Sequence, residues 1–273
     1  MKATAASRLY SLMCYSVAGL GALTVWAQAH RSASATSTAS PQKIDAPVPF
    51  VGCKSDGQVG PEDAPTGKSI RLPIASEVAQ RLAYYKSQRS LAVLAPRGWH
   101  CFGTYGSAGT VLYVSPQAID RAQVFSDSWT GFRGPAIEID YVYGDTSGRF
   151  GVAKVSARVF PNRRAFVENL IKEQSKVGIE SANSFPFGLY PKDKLIYRSS
   201  DMVEYETPAN TEGLGTQWAL KKNSDPIRGV AIIVGDTPDL VQLSTRLPAS
   251  FADLTNVIIQ QVERDAVDGA VDP

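Results

Sequence analysis

Short apolar segments, each ended by glycine or proline, recur along this chain and constrain its fold more than any other feature. The clearest is AIEIDYVYG, residues 136–144. Its isoleucines and tyrosines lie on one face of a strand, with Glu138 and Asp140 on the other. Strands joined by glycine turns, such as the turn within residues 103–109, predict hairpins and an antiparallel sheet. The other segments predicted as strands are 90–96, 98–106, 110–116, 149–160, 194–206, 229–235 and 240–248.

Three segments have the apolar spacing of a helix instead: residues 76–88, 162–178 and 249–266. The residues predicted to cap them are Ser76, Asn162 and, as a capping box, Ser250 with Asp253. The order of strands and helices predicts an α+β fold, in which about three helices cover a largely antiparallel sheet.

The N-terminal segment has the composition of a secretory signal peptide. Residues 1–29 carry Lys2 and Arg8 but no acid, continue as a mostly apolar stretch and close on the small-x-small sequence AQA. We expect this segment to be cleaved, which places the protein in the periplasm or outside the cell with no remaining membrane span. The predicted organisation is a signal peptide at 1–29, a flexible Ser/Ala/Thr-rich linker at 30–47, a single α+β domain at 48–266 and a frayed tail at 267–273.

Cleavage would leave two cysteines, Cys53 and Cys101. In an exported chain two cysteines most simply pair with each other, because oxidising compartments favour disulfides. The predicted bond would connect the segment PFVGCKSDGQVG to the hairpin that contains GWHCFGTYG.

His100 stands next to Cys101, which raises the alternative of a catalytic thiol with its base. Adjacent strand residues point to opposite faces of a sheet, so His100 cannot activate Cys101. The other mature histidine is His30. A terminal His30 with an internal histidine is similar to the ligand set of copper-dependent polysaccharide monooxygenases, but His30 opens a low-complexity stretch rather than a folded core. We predict no metal and no cofactor.

The charge of the mature chain argues against polyanionic partners. The full chain has a formal charge of +2, and cleavage would remove Lys2 and Arg8 without an acid, which leaves a neutral protein. A neutral chain offers no general electrostatic attraction to nucleic acid or anionic lipid.

Two pairs of carboxylates are weak candidates for catalysis. Glu138 and Asp140 share one strand face, and paired carboxylates at such spacing can serve acid–base glycoside hydrolysis. Glu204 and Glu206 form an equivalent pair. The structural alternative for both pairs is the solvated face of a half-buried sheet.

Two loops rich in aromatic residues, glycine and proline are candidate recognition surfaces, at residues 127–135 and 184–193. The residues predicted to make contacts are Trp129, Phe132, Phe187 and Tyr190. The alternative is that these rings pack inward at the edge of the core.

The sequence PRGW, residues 96–99, resembles the strand opening of PsbP-type domains. More broadly, the chain resembles a family of exported proteins of Gram-negative bacteria with no established activity. This resemblance implies export and an α+β domain, and it implies no particular chemistry.

These observations favour an exported, disulfide-linked domain that binds a partner, such as an envelope component, a glycan or a protein. The alternatives are a hydrolase that uses strand-borne carboxylates and a purely structural envelope protein. A buried Glu138 or Asp140 beside a deep cleft would favour the hydrolase. An exposed aromatic patch made by residues 127–135 and 184–193 would favour the binding domain.

Overall fold

The computed structural model describes residues 45–176 and 182–269, so the predicted signal peptide, most of the linker and the last four residues lie outside the described part. The described strands are β1 (Ala46–Val48), β2 (Phe50–Gly52), β3 (Ser55–Gly57), β4 (Ile70–Leu72), β5 (Leu82–Lys86), β6 (Val93–Pro96), β7 (His100–Gly106), β8 (Gly109–Ser115), β9 (Ala136–Val142), β10 (Lys194–Ser199), β11 (Met202–Thr207), β12 (Ile227–Val234) and β13 (Asp239–Arg246). Residues 46 and 47, at the end of the predicted linker, belong to β1.

The main sheet has eight strands in the order β10-β11-β12-β13-β9-β8-β7-β3. Its neighbours are antiparallel except for β3 and β7, which run parallel. The described residues form two further sheets, a three-stranded sheet in the order β2-β5-β6 and a two-stranded sheet of β1 and β4. The predicted α+β class with a largely antiparallel sheet is confirmed, although parallel pairs occur in both larger sheets.

The predicted disulfide is present. Cys53 and Cys101 are bonded, with their Cα atoms 5.4 Å apart. Cys53 directly follows β2 and Cys101 lies in β7, so the bond connects the three-stranded sheet to the main sheet. Because the Cys101 sulfur is used in this bond, it is not a thiol nucleophile, and His100 is exposed beside it.

The described helices are α1 (Ser76–Ala79), α2 (Arg121–Val124), α3 (Arg149–Val159), α4 (Arg164–Lys176) and α5 (Thr255–Val267). Short 3-10 turns occur at Pro161–Arg163, Ala182–Ser184, Leu214–Thr216 and Ala249–Leu254. The C-terminal part of the predicted 162–178 helix lies outside the described residues.

Two assignments of secondary structure from the sequence are wrong. The predicted helix 76–88 ends at Ala79, and its second half is β5, which pairs with β2 and β6 and is mostly buried. The predicted strand 149–160 is α3, whose buried positions include Val152, Val155 and Val159. Valines favour strands by intrinsic preference, but tertiary packing overrides that preference here.

The predicted caps also differ from the structure. Ala75 rather than Ser76 precedes α1, and the side chain of Asn162 donates to Asp201 from a 3-10 turn. Asp253 forms an ion pair with Arg81 at 2.5 Å instead of a capping box. These polar residues connect distant segments, which local capping patterns do not reveal.

The main sheet is covered on both faces. On one face, α5 packs through Ile258 and Val262 into a core that includes Leu112 and Ile139. On the other face, α3 packs against β9 and β13, in an apolar cluster that also includes residues of β11 and β12, and the segments around Phe132 and Leu220 cover the sheet near β8. In the described ranges, no helix is long and apolar enough to cross a membrane.

Candidate functional site

A cleft of about 930 Å³ lies on the second face of the main sheet. Its floor is formed by β8 and β9, and its sides by the β7–β8 turn, the start of α3 and the segments 129–131 and 217–221. This volume falls within the usual range for sites that bind small molecules. The residues that line the cleft include Tyr113, Trp129, Glu138, Asp140, Gln217, Trp218 and Lys221.

The floor of the cleft carries the two carboxyl groups that the sequence placed on one strand face. In β9, Glu138 is opposite Tyr113 of β8 and Asp140 is opposite Val111, so the four residues share a face. Glu138 is 1% exposed and Asp140 is 3% exposed. The expectation of a solvated sheet face is therefore wrong for this pair, because the segment around residues 217–221 covers it.

Glu138 holds this covering segment in place. Its two carboxyl oxygens accept the backbone N–H of Ala219 at 3.1 and 2.9 Å, and one of them also accepts the N–H of Leu220 at 3.3 Å. Hydrogen bonds from backbone N–H groups to a carboxylate are among the stronger ones in proteins. Glu138 is consequently part of the scaffold of the cleft as well as of its floor.

Arg246 fixes the same wall from the next strand. Its guanidinium is fully buried and donates to the carbonyls of Phe132 and Gly134, at 3.4 and 3.2 Å, and to that of Lys221. The two segments also bond to each other, since Phe132 N–H donates to Ala219 at 2.8 Å and Lys221 N–H donates to Phe132 at 2.9 Å. The wall is thus preformed, with its backbone groups paired.

Asp140 has a different environment. Its Oδ2 atom is buried and has no hydrogen-bond partner among the described residues. The Oε1 atom of Gln217, which also lines the cleft, has no partner within the described ranges either. Thr110 Oγ1, at the same cleft, is likewise buried and unpaired among the described residues. Because buried polar atoms are nearly always paired, three such atoms around one cleft need an explanation.

The low polarity of the floor changes the acidity of both carboxyl groups. Burial raises the pKa of Glu138 to about 7, against the opposing effect of the Ala219 and Leu220 N–H groups and of Lys221. Burial raises the pKa of Asp140 well above its ordinary value, and the Glu138 carboxyl adds to this increase. Burial also raises the pKa of Tyr113, with a further contribution from both acids.

Aromatic rings form the walls above the acids. Trp129 packs edge-on against Tyr113, with ring centroids 5.5 Å apart, and against Phe132 at 5.7 Å. Trp218 donates its indole N–H to Gln242 at 3.0 Å. Its ring approaches Gly151 of α3 so closely that a Cβ atom there would lie 2.9 Å from it. Both indoles are therefore fixed by neighbours.

The structure separates the four aromatic residues that the sequence analysis proposed as contacts. Trp129 lines the cleft, whereas Phe132 is buried beneath it. The Cζ atom of Arg164 lies 4.5 Å from the ring centroid of Phe187, and that of Arg158 lies 4.3 Å from the ring centroid of Tyr190. These two rings therefore lie next to α4 and α3. Phe187 and Tyr190 are not among the residues that line the cleft.

The second carboxylate pair lies at the other end of the sheet. Glu204 pairs with Arg198, and Glu206 pairs with Lys194 at 2.7 Å. Both pairs are half-buried or exposed contacts between β10 and β11. In the described part of the chain, no group of three or more His, Cys, Asp or Glu side chains is placed to hold a metal ion.

The sequence analysis missed Gln217, Trp218 and Lys221. They lie in a stretch without periodic structure between β11 and β12, and a tryptophan in such a stretch is the one local signal of a binding surface. A scan against protein-family models, a search of curated proteins and a search of solved structures each find no significant match.

Proposed function

We propose that this protein binds a small organic molecule in the cleft above β8 and β9 and does not transform it. One observation carries the proposal: among the described residues, Asp140 Oδ2 and Gln217 Oε1 are buried acceptors without partners, and both residues line the cleft. A ligand that donates hydrogen bonds would satisfy them. The fixed indole rings of Trp129 and Trp218 would contact its apolar part.

The preformed wall supports binding. Glu138 and Arg246 hydrogen-bond to the backbone of the segments 132–134 and 219–221 and hold them in one arrangement. A site that is already ordered loses little conformational entropy when a ligand enters, so more of the contact energy appears as affinity.

We further propose that binding takes place outside the cytoplasm. The sequence of residues 1–29 supports export, and the disulfide between Cys53 and Cys101 is typical of oxidising compartments. Expression with the native leader and intact-mass measurement tests this part. A mature chain that starts at His30 and gains two thiols only after reduction supports it, and a retained Met1 contradicts it.

A carboxylate-based hydrolase is the second candidate. The observation in its favour is the burial of Glu138 and Asp140 beside a cleft, together with the pKa of Glu138 of about 7, which suits a general acid. Glycoside hydrolysis also needs one carboxylate that stays ionised as base or nucleophile. Burial raises the pKa of Asp140 as well, in the same direction as that of Glu138, so the two environments do not separate an acid from an ionised base, and binding is the better-supported function.

A thermal-shift screen of small polar and amphipathic molecules tests the proposal. We expect ligands that stabilise the wild type to have no effect on Val111→Trp, in which the new indole would fill the floor of the cleft. Val59→Trp is the matched control, because Val59 is 74% exposed and lies outside the cleft. Equal stabilisation of both variants would contradict the cleft as the site. Chromogenic glycosides in the same screen test the hydrolase.

A further inference from the structure

We infer that the ligand of this cleft carries a cationic nitrogen, an ammonium group in particular, that binds Asp140 while an apolar or aromatic body lies against Trp129 and Trp218. This inference rests on the proposed binding function and specifies its ligand class. It follows from which groups around Asp140 are already paired and which are not.

In the described part of the chain, the neighbouring strands provide no donor to the Oδ2 atom of Asp140. On β8 its cross-strand neighbour is Val111, which is apolar, and on β13 it is Gln242. The amide nitrogen of Gln242 already donates to the Tyr205 hydroxyl at 3.3 Å and to the Leu214 carbonyl at 3.1 Å. Asp140 Oδ2 therefore has no donor within the described residues, and a molecule bound in the cleft would supply one.

Glu138 and Asp140 differ in how far the groups around them stabilise a negative charge. Near Glu138, two backbone N–H groups and Lys221 oppose the negative charge, and the Lys221 ammonium is held by the Trp218 carbonyl at 2.6 Å. At Asp140 the influences on the carboxyl are burial and Glu138, both of which disfavour its ionised form. A cation bound beside Asp140 would offset both influences, because a nearby positive charge favours the ionised carboxyl.

The other titratable groups near Asp140 do not fill this role. Glu138 on β9 is another acid, and Tyr113 on β8 and Tyr205 on β11 are phenols whose pKa is raised by burial, with both acids adding to it. In the described part of the chain, the other unpaired atoms at the cleft are Gln217 Oε1, a second acceptor, and the Thr110 hydroxyl, which can accept as well as donate. An ammonium group has three donors and no acceptor, so it matches a site that offers acceptors.

The walls fit the rest of such a ligand. Trp129, Tyr113 and Trp218 line the cleft, and aromatic faces attract cations as well as apolar groups. An anionic ligand would meet two acids at the floor, and a neutral alcohol would bring no positive charge to favour the ionised carboxylate of Asp140. An aryl or alkyl amine can place its ammonium group at Asp140 and its apolar part against the aromatic rings of the walls.

Calorimetric titration with matched probes tests the inference. Tryptamine, tryptophol and indole-3-acetate share one indole frame and differ in the charge of the side chain, and hexylamine with hexanol repeats the comparison without the ring. We expect the amines to bind at least about tenfold more tightly than the alcohols and the acid not to bind. In Asp140→Asn this preference is lost, and in Asp236→Asn, an exposed control with the same charge change, it is retained.

A second readout does not depend on the variants. Because burial raises the pKa of Asp140 and a bound ammonium favours the ionised carboxylate, binding should lower this pKa, and proton release should appear at pH values between the free and the bound pKa. Titrations of the wild type at a series of pH values, in two buffers of different ionisation enthalpy, measure this release. Alcohols that bind as tightly as the amines, or amine binding without proton release, would overturn the cationic ligand and leave the binding function intact. If other molecules bind in the cleft and the amines do not, the cationic ligand is likewise overturned and the binding function stands. Absence of any ligand in the wider screen would contradict the binding function itself.

Discussion

At the scale of single residues, Asp140 and Glu138 show how two acids on one strand face acquire different roles. Glu138 accepts hydrogen bonds from backbone N–H groups and orders the wall, whereas Asp140 has an oxygen at the floor with no partner in the described part of the chain. A buried unpaired carboxyl destabilises a folded protein. Local violations of good packing tend to occur at functional sites.

Asp140→Asn is expected to stabilise the unliganded protein as pH rises. The folded-state pKa of Asp140 is raised, so with increasing pH the unfolded chain loses this proton first and unfolding becomes more favourable. The variant removes this effect, so its free energy of unfolding should exceed that of the wild type at pH 8, and the difference should be smaller at pH 5. Urea denaturation at both pH values measures it. A variant less stable than the wild type at pH 8 would contradict the account.

Arg246→Met is expected to weaken the wall of the cleft. The variant leaves the buried carbonyls of Phe132, Gly134 and Lys221 without their donor, which should lower the free energy of unfolding by about 2–4 kcal/mol. Arg133→Met is the control, because Arg133 is exposed in the same segment. Chemical denaturation of both variants measures the difference, and equal stability would show that Arg246 does not hold the wall.

At the scale of elements, the sequence predicted strands better than helices. The alternation in AIEIDYVYG correctly predicts β9 and the shared face of Glu138 and Asp140, because that pattern is local. Helix α3 was missed because it is buried on most sides, with Ala153, Val155 and Ser156 all inaccessible, and so lacks a polar stripe. Strand β5 was missed because its pairing with β2 and β6 is not encoded nearby.

Glu263→Gln is expected to strengthen the packing of α5 as pH rises. Burial and the neighbouring Glu204 raise the pKa of Glu263 to about 7, so the contribution of this group to stability is present at low pH and is lost as pH approaches and passes 7. The variant should therefore melt at a higher temperature than the wild type at pH 8 and at nearly the same temperature at pH 5. Glu77→Gln, at an exposed position of α1, is the control and should show no such pH dependence. A lower melting temperature at pH 8 for Glu263→Gln would contradict the account.

At the scale of the whole molecule, the cleft is assembled from segments that are far apart in the chain. The donors to Glu138 are 81 and 82 residues away, and Arg246 is 112 residues from the Gly134 carbonyl it holds. Periodicity identifies the floor strand, but it carries no information on which loop covers that strand. The burial of the acids, and with it the site, therefore could not be predicted from the sequence.

The disulfide is expected to contribute substantially to the stability of the whole domain. It closes a loop with a sequence separation of 48 residues, for which the loop-entropy relation gives about 4 kcal/mol. The double variant Cys53→Ala/Cys101→Ala should lose a free energy of unfolding of this order, measured by denaturant titration beside the oxidised wild type. A loss below about 1 kcal/mol would show that packing of the two sheets suffices without the bond.

The measurement that tests the central claim most directly is an amide NMR titration of the wild type with tryptamine. The account predicts that chemical-shift changes concentrate in the residues of the cleft, namely 109–111, 129–131, 138–142 and 217–221. The same titration of Asp140→Asn should give much smaller changes at equal ligand concentration. Changes confined to the α5 face of the sheet, or equal responses of the two proteins, would contradict the claim that Asp140 marks the ligand site.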